Sequence, residues 1–365
     1  MKFLFIVEHY FPYIGGAETL WKNLSDQLVD NNHEVTVITT RFHKNLKKQE
    51  TLNGVKIIRL AIPNRFLFTI LSVKKCIEIA KTVDLIQTST YTAAIPAFIA
   101  SKVTKTKCVI TFHEYWGKLW FKVPFTSLFS KFMYFSFEWF ILKLKFDKFI
   151  AVSDFTKSRL IEAGINQNNI KRIYNGLEYS HFNVFNLAHS NQFTFCYFGR
   201  LGVSKGLDVL LEGFSIFILK HPGVKLKMIV PNYPKSIFLK IRELAKTLKI
   251  DTNIIWKHNL SDNDLMNEII STNAVIIPSL SEGFCFTAAE TVALKMPVIS
   301  SEKGALKEVT GGKIITIESL SPEGLNQALE SAFRCEWDEK EVTLFPLDTT
   351  VKQYQELYEL TLNCS

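Results

Sequence analysis

Short apolar runs alternate with longer stretches whose apolar positions recur at helical spacing. Residues 2–7 read as a buried strand. Residues 17–30 read as a helix with Ala17, Leu20, Trp21, Leu24 and Leu28 on one face. Further strands are predicted at 35–39, 55–60, 84–88, 107–112 and 148–152. A polar stretch at 179–192, with Asn183, Asn186, Ser190 and Asn191, reads as a linker. The pattern then restarts, with a strand at 193–198, a helix at 207–220 and strands at 225–230, 253–256, 274–277, 298–300 and 313–317. Such alternation predicts parallel sheets covered on both faces. The restart predicts two doubly wound, Rossmann-like α/β domains, 1–185 and 186–349, facing each other across a cleft. The final segment, 350–365, holds a helix-like run that is free to pack back on the first domain.

Composition narrows the partners. A chain of 365 residues is too long for one comfortable core, and 47% hydrophobic against 21% charged residues indicates a folded protein. The net charge of +8 favours anionic partners without choosing among phosphates, nucleic acid and acidic lipid. No nucleic-acid-binding module is recognisable, so nucleic acid is not an expected partner. Cysteines 76, 108, 196, 285, 335 and 364 have no zinc or redox spacing, which reads as a reducing compartment without a disulfide framework. Cys108 and Cys196 lie in apolar runs and read as small buried side chains. The opening apolar run ends at Glu8, too short for a secretory leader. No stretch reaches the roughly 18 uninterrupted apolar residues of a membrane span. The nearest, 132–142, carries Glu138.

Four loops carry candidate chemistry. Residues 278–290, Pro-Ser-Leu-Ser-Glu-Gly-Phe-Cys-Phe-Thr-Ala-Ala-Glu, read as a strand exit, a small-residue loop and a helix start. Glu282 falls in the loop and Glu290 about one turn into the helix. Free amides at such a start favour phosphate oxygens. Carboxylates on either side could address the hydroxyls of a sugar and a ribose; two solvated glutamates on an ordinary loop are the alternative. Residues 11–18 place Gly15 and Gly16 before a helix, where a ligand could approach the backbone, or where the chain simply turns. The G-x-G-x-x-G fingerprint is absent, which disfavours a nicotinamide site. In 197–207, Arg200 and Lys205 bracket a glycine-containing loop. They offer a guanidinium fork and an ammonium for phosphate, or are two surface cations. His113 ends a predicted strand, where open α/β sheets hold ligands, although a lone histidine is as readily structural. Asn175-Gly176 predicts a turn with positive φ, between domains.

Together these pieces resemble the GT-B glycosyltransferases of family 4, the glycosyl transferases group 1. The resemblance spans nearly the whole chain, in order. It rests on Gly15-Gly16, His113, Asn175-Gly176, Gly199-Arg200-Leu201 with Lys205-Gly206, and Glu282 to Glu290 followed by Met296-Pro297-Val298. It implies a retaining, metal-independent transferase using a nucleoside diphosphate sugar and no cofactor. Arg200 and Lys205 would bind the donor diphosphate, with Gly199 in the same loop. Glu290 would contact the ribose and Glu282 the transferred sugar. The backbone of Gly283, Phe284, Cys285, Phe286 and Thr287 would meet sugar hydroxyls and phosphate. Gly15 and Gly16 would close on the diphosphate, and His113 would touch the sugar near its reacting carbon. Two departures stand out: Cys285 replaces the second glycine of E-G-F-G, which would narrow the sugar pocket, and Gly304-Ala305 replaces a Gly-Gly ahead of Glu308.

The acceptor side is expected in residues 115–149. There Trp116, Trp120, Phe121, Phe125, Phe129 and Phe132 begin an aromatic series interleaved with Lys118, Lys122, Lys131, Lys143, Lys145 and Lys148. Such a segment suits a bilayer interface, and equally a core helix with solvated lysines. The interface reading implies a lipid-linked saccharide acceptor, peripheral contact with an anionic membrane surface and a place on the cytoplasmic face. Competing readings are a sugar-nucleotide epimerase or hydrolase, and a non-catalytic sugar-nucleotide or lipid-binding subunit.

Overall fold

The structure is a computed structural model that describes residues 1–13, 15–62, 64–122, 126–182, 184–185 and 192–363. Ile14, Phe125, the linker positions Asn183, Asn186, Ser190 and Asn191, and Cys364 lie outside the described residues. The chain divides into two compact units. One comprises Met1–Lys122, Thr126–Gly176 and Phe345–Ser365, the other Leu177–Leu344.

The first unit holds strands β1 (Lys2–Ile6), β2 (Glu34–Thr40), β3 (Gln49–Leu52), β4 (Val55–Leu60), β5 (Leu85–Ser89), β6 (Lys107–Phe112), β7 (Lys148–Ala151) and β8 (Ile170–Arg172). Its helices are α1 (Gly16–Asp30), α2 (Arg65–Leu71), α3 (Val73–Ala80), α4 (Ala94–Thr104), α5 (Leu128–Lys143) and α6 (Asp154–Glu162). The sheet runs β3-β4-β2-β1-β5-β6-β7-β8. Every pairing is parallel except β3 with β4. That antiparallel hairpin turns on Asn53 and Gly54, both at positive φ (49° and 80°), a pairing that suits a two-residue turn.

The central strands are apolar on both faces because both are covered. Leu4 and Ile6 pack in one core with Ile38, Ile86 and Ile110. The alternate residues Phe3 and Phe5 instead meet Tyr358 and Trp21, at ring separations of 5.0 and 5.9 Å. Tyr358 belongs to a terminal helix, Leu347–Asn363, that packs on this unit. The Tyr358 hydroxyl donates to Gln87 Oε1 at 2.8 Å, and the Tyr354 hydroxyl meets Thr111 Oγ1 at 3.1 Å. These contacts satisfy polar groups buried within the sheet.

Neither Asn175 nor Gly176 has positive φ, against the expectation from the Asn-Gly pair. The glycine answers a different need. A β-carbon at Gly176 would stand 2.5 Å from the Leu347 α-carbon and 2.6 Å from Thr350 Oγ1. The terminal helix can seat only against a residue without a side chain.

The second unit holds β9 (Thr194–Phe198), β10 (Lys225–Ile229), β11 (Ile254–Lys257), β12 (Ala274–Ile277), β13 (Val298–Ser300), β14 (Gly312–Thr316) and β15 (Asp338–Lys340). Between them lie α7 (Leu207–Ile218), α8 (Lys235–Thr247), α9 (Asp262–Ile270), α10 (Phe286–Ala293), α11 (Leu306–Val309) and α12 (Pro322–Phe333); the terminal helix is α13. The sheet runs β11-β10-β9-β12-β13-β14-β15, parallel except for β15 at its edge. β15 is a short run of charged residues, which discourages further pairing.

Candidate functional site

In the second unit the chain fills one side of the sheet with β10 and β11, then returns to the other side of β9 with β12. The crevice beyond the carboxyl ends of β9 and β12 is therefore its topological switch point, where open α/β sheets receive ligands. The predicted residues Gly199, Arg200 and Lys205 lie on the loop after β9, and Glu282 on the loop after β12.

The two loops are locked together. The Leu280 amide donates to the Ser204 carbonyl at 2.7 Å. Gly206, at φ 62°, lies so near the Pro278 carbonyl that a β-carbon would stand 2.0 Å from its oxygen. Gly199, at φ 139°, would bring a β-carbon to 3.4 Å from Thr287 Oγ1. Glycine is thus required at the start and end of the β9 loop, for torsion and for close approach.

Within this frame Lys205 Nζ donates to Glu282 Oε1 at 2.6 Å, and Ser279 Oγ donates to the same oxygen at 2.6 Å. Ser279 and Glu282 are buried. Burial pushes the Lys205 ammonium down, but the Glu282 carboxylate, with Cys285 and Tyr197 beside it, more than offsets this, so its pKa rises and the charge is kept. Glu282 is therefore neither solvated nor free to rotate. The other side of its backbone meets Gly304, where a β-carbon would stand 2.5 Å from the Glu282 carbonyl oxygen, and the Ala305 amide donates to that oxygen at 2.8 Å. Arg200 is exposed; its backbone carbonyl accepts from the Tyr197 hydroxyl at 3.1 Å. Among the described residues its guanidinium has no hydrogen-bond or ion-pair partner.

The loop from Glu282 ends at α10. Gly283 and Phe284 are buried, and Phe284 meets Phe286 edge-on with ring centroids 5.3 Å apart. Cys285 caps the helix at φ 78°, in the left-handed region. The family's glycine at this position thus has a backbone reason; the expected narrowing of a sugar pocket is not needed to explain it. The amides of Ala288 and Ala289 both turn back to the Cys285 carbonyl, so those of Phe286 and Thr287 precede the intrahelical ladder. Glu290 is half-buried one turn further on. Burial, aided by the Asp262 carboxylate at the start of α9, pushes its pKa up to about 7.

The first unit has a corresponding switch point between β1 and β5. Gly15 caps α1, its carbonyl accepting from the Thr19 amide at 2.9 Å and the Thr19 hydroxyl at 3.0 Å. Its φ of 174° is extended backbone open to any residue, and Gly16 begins the helix without positive φ, so torsion does not require this glycine pair. His113 follows β6, with its ring edge-on to Trp21 of α1 at 5.3 Å. In the sequence Glu8 only ends an apolar run. It is in fact a hub: Thr92 Oγ1 donates to Oε2 at 2.6 Å, Arg65 Nη2 donates to Oε2 at 3.0 Å, and His9 Nε2 lies 3.3 Å from Oε1. Burial raises its pKa, but His9, Arg65 and Thr92 together bring it below the usual carboxylate value. Ser279 and Asp262 were also missed, because their effects pass through tertiary contacts that no local motif records.

Two doubly wound units, with cations and carboxylates at a switch point, define the GT-B class of sugar-transfer enzymes. Residues 14–181 match the family model Glycosyltransferase Family 4, and residues 182–343 match Glycosyl transferases group 1. The chain belongs to this family of retaining glycosyltransferases that use nucleotide-sugar donors. It is 23% identical to a subunit of the human phosphatidylinositol N-acetylglucosaminyltransferase, over 90% of this chain and 67% of that one. Among solved structures, it resembles a glycosyltransferase from Rickettsia africae ESF-5 (24% identity, TM-score 0.73, covering 100% of this chain and 99% of the other). It also resembles Anabaena HepE, solved in complex with UDP-glucose (17% identity, TM-score 0.71, covering 99% and 100%). The structural likenesses carry the fold.

Proposed function

We propose that this glycosyltransferase moves a sugar from a nucleoside diphosphate sugar to a lipid-linked saccharide, without a bound metal, in the assembly of a cell-surface polysaccharide or glycolipid at the cytoplasmic face of a membrane. The observation that carries the donor chemistry is the largely buried Lys205–Glu282–Ser279 array beside an exposed Arg200, without a partner among the described residues, at the second unit's switch point.

As the donor ionises, negative charge grows on the β-phosphate and positive character on the sugar carbon. Arg200 and the Lys205 protons not engaged by Glu282 stabilise the former, with the Phe286 and Thr287 amides. Glu282, held by Lys205 and Ser279, orients sugar hydroxyls. Glu290 accepts from the ribose. In the first unit the family resemblance assigns Gly15 and Gly16 to the diphosphate and His113 to the sugar. A lipid-linked acceptor is supported by the aromatic and basic helix α5 and by the lipid in the human relative's name.

Arg200→Ala is the cleanest test, because Arg200 is exposed and its loss leaves no buried charge behind. Turnover should fall about 10²–10³-fold, the usual effect of deleting one preorganised donor at a developing anion, with an unchanged melting temperature. Near-normal transfer by that variant would remove the leaving-group role. Release of free sugar with no transfer to any lipid-linked acceptor would favour hydrolysis.

A further inference from the structure

Helix α5 buries its one acid and exposes much of its apolar surface. Its only acid, Glu138, points inward and is buried. There it accepts from the amides of Trp116 and Gly117 at 3.2 and 2.8 Å and from the Tyr91 hydroxyl at 3.1 Å. These bonds fix the helix's rotation. Ile141 and Leu142 share its buried side. Outward go Leu128, Phe129, Phe132, Met133, Trp139 and Phe140, with Phe129 79% and Phe132 62% exposed. Phe129, Phe132, Met133 and Phe140 fall at helical spacing, so they form one stripe.

Helix α2 adds to it. Phe68 is buried, while Phe66, Leu67, Ile70 and Leu71 are exposed. Both helices meet the turn Tyr91–Ala93: Tyr91 bonds Glu138 of α5, and Thr69 Oγ1 of α2 donates to the Thr92 carbonyl at 3.3 Å. Soluble monomers rarely expose large apolar patches without a partner. The two segments carry an excess of cations. Residues 61–77 contain no acid, and residues 115–146 contain only the buried Glu138. Lys74, Lys118, Lys122 and Lys143 on these segments are exposed, Lys143 lying 5.4 Å from the Trp139 ring centre, while Arg65 pairs with Glu8. Among the described residues no helix is long and apolar enough to cross a membrane.

We infer that the outward faces of α2 and α5 dock this protein on an anionic bilayer surface, with the rings at the acyl boundary and the cations at lipid phosphates. A second copy of the chain fits less well, because pairing this face with itself sets cation against cation. The inference uses no feature of the donor site, and its test needs no donor.

The test is co-sedimentation of the full chain with vesicles of phosphatidylcholine alone and of phosphatidylcholine mixed with phosphatidylglycerol. Partition should be confined to the anionic vesicles at low salt and should weaken as salt rises. Phe129→Ser with Phe132→Ser should lower it at least tenfold, as should Lys122→Glu with Lys143→Glu. All four side chains are exposed, so folding, checked by circular dichroism, and nucleotide binding should be unchanged. Leu219→Ser, at an exposed leucine of the second unit, should change nothing. Absence of partition by the unaltered chain at low salt would overturn the inference. So would full partition by both double variants, or a dimer in sedimentation equilibrium that the Phe129/Phe132 variant abolishes.

Discussion

Lys205 and Glu282 lie 77 residues apart in the chain and are joined by a 2.6 Å ion pair, with Ser279 donating to the same carboxylate oxygen. Their side chains are 20% and 10% exposed, so removing either one strands a largely buried charge. Lys205→Ala and Glu282→Ala should each lower the melting temperature of the second unit. The double variant should lose less than the two summed, with a coupling of about 1–3 kcal/mol. At roughly 2–4 °C per kcal/mol for a domain of this size, that is measurable by thermal shift. All three variants should lose most turnover. Strict additivity would mean that the pair contributes to chemistry alone.

Glu290 sets a pH dependence for donor binding. Burial and Asp262 raise its pKa to about 7, so it is mostly protonated at pH 6 and mostly ionised at pH 8. A carboxylate accepts a ribose hydroxyl more strongly than a carboxylic acid does. The Kd for a nucleoside diphosphate should therefore tighten as pH rises through 7, by up to about tenfold between pH 6 and 8. Stability moves the other way. The native state holds this proton longer than the unfolded chain does, so the contribution is present below the ordinary value of 4.5 and is lost as pH rises through 7. Isothermal titration across this range checks the first effect. Glu290→Gln should flatten the profile, and Asp262→Asn should move its midpoint down. An unchanged profile in Glu290→Gln would assign the titration to another group.

How much of this the chain disclosed in advance depended on where the information lay. Strands such as β6, β12 and β13 are apolar because both faces are covered, and their limits were readable to the residue. β3 and β15 carry no such signal, because a short, polar edge strand has little to bury. Asn53-Gly54 was the one local signal that could have revealed the β3–β4 hairpin. Arg200, Lys205, Glu282 and Glu290 were legible as charged residues on loops that leave strands. That Lys205 spends part of its charge on Glu282, and that Asp262 acts on Glu290, belongs to tertiary packing and has no sequence-local sign. Asn175-Gly176 was noticed for the wrong reason: the pair suggested a torsion, and the structure supplied a contact.

That contact makes its own prediction. Gly176→Ala would place a β-carbon 2.5 Å from the Leu347 backbone, so α13 must shift away. Overpacking of this kind costs about 1–3 kcal/mol or more. The displaced helix would also loosen the Tyr354 and Tyr358 contacts to Thr111 and Gln87. Limited proteolysis should then cut near residue 345 faster in the variant than in the unaltered chain. Equal cleavage rates would show that α13 tolerates the added methyl by local adjustment.

Cys285 stands at φ 78° in a position where the family resemblance expects glycine. A residue with a β-carbon carries about 1–2 kcal/mol of strain in this region. Glycine would relieve it while giving back about 0.5–1 kcal/mol through greater freedom of the unfolded chain. The net is about 0–1.5 kcal/mol, so Cys285→Gly should raise the melting temperature by about 6 °C at most, with transfer retained. Cys285→Val should lower it, since a β-branched side chain tolerates left-handed backbone poorly. Burial and the nearby Glu282 carboxylate also push the Cys285 thiol pKa up, so alkylation near neutral pH should mark the exposed Cys335 well before Cys285. A lower melting temperature in Cys285→Gly would mean that the thiol's packing outweighs the strain of its backbone.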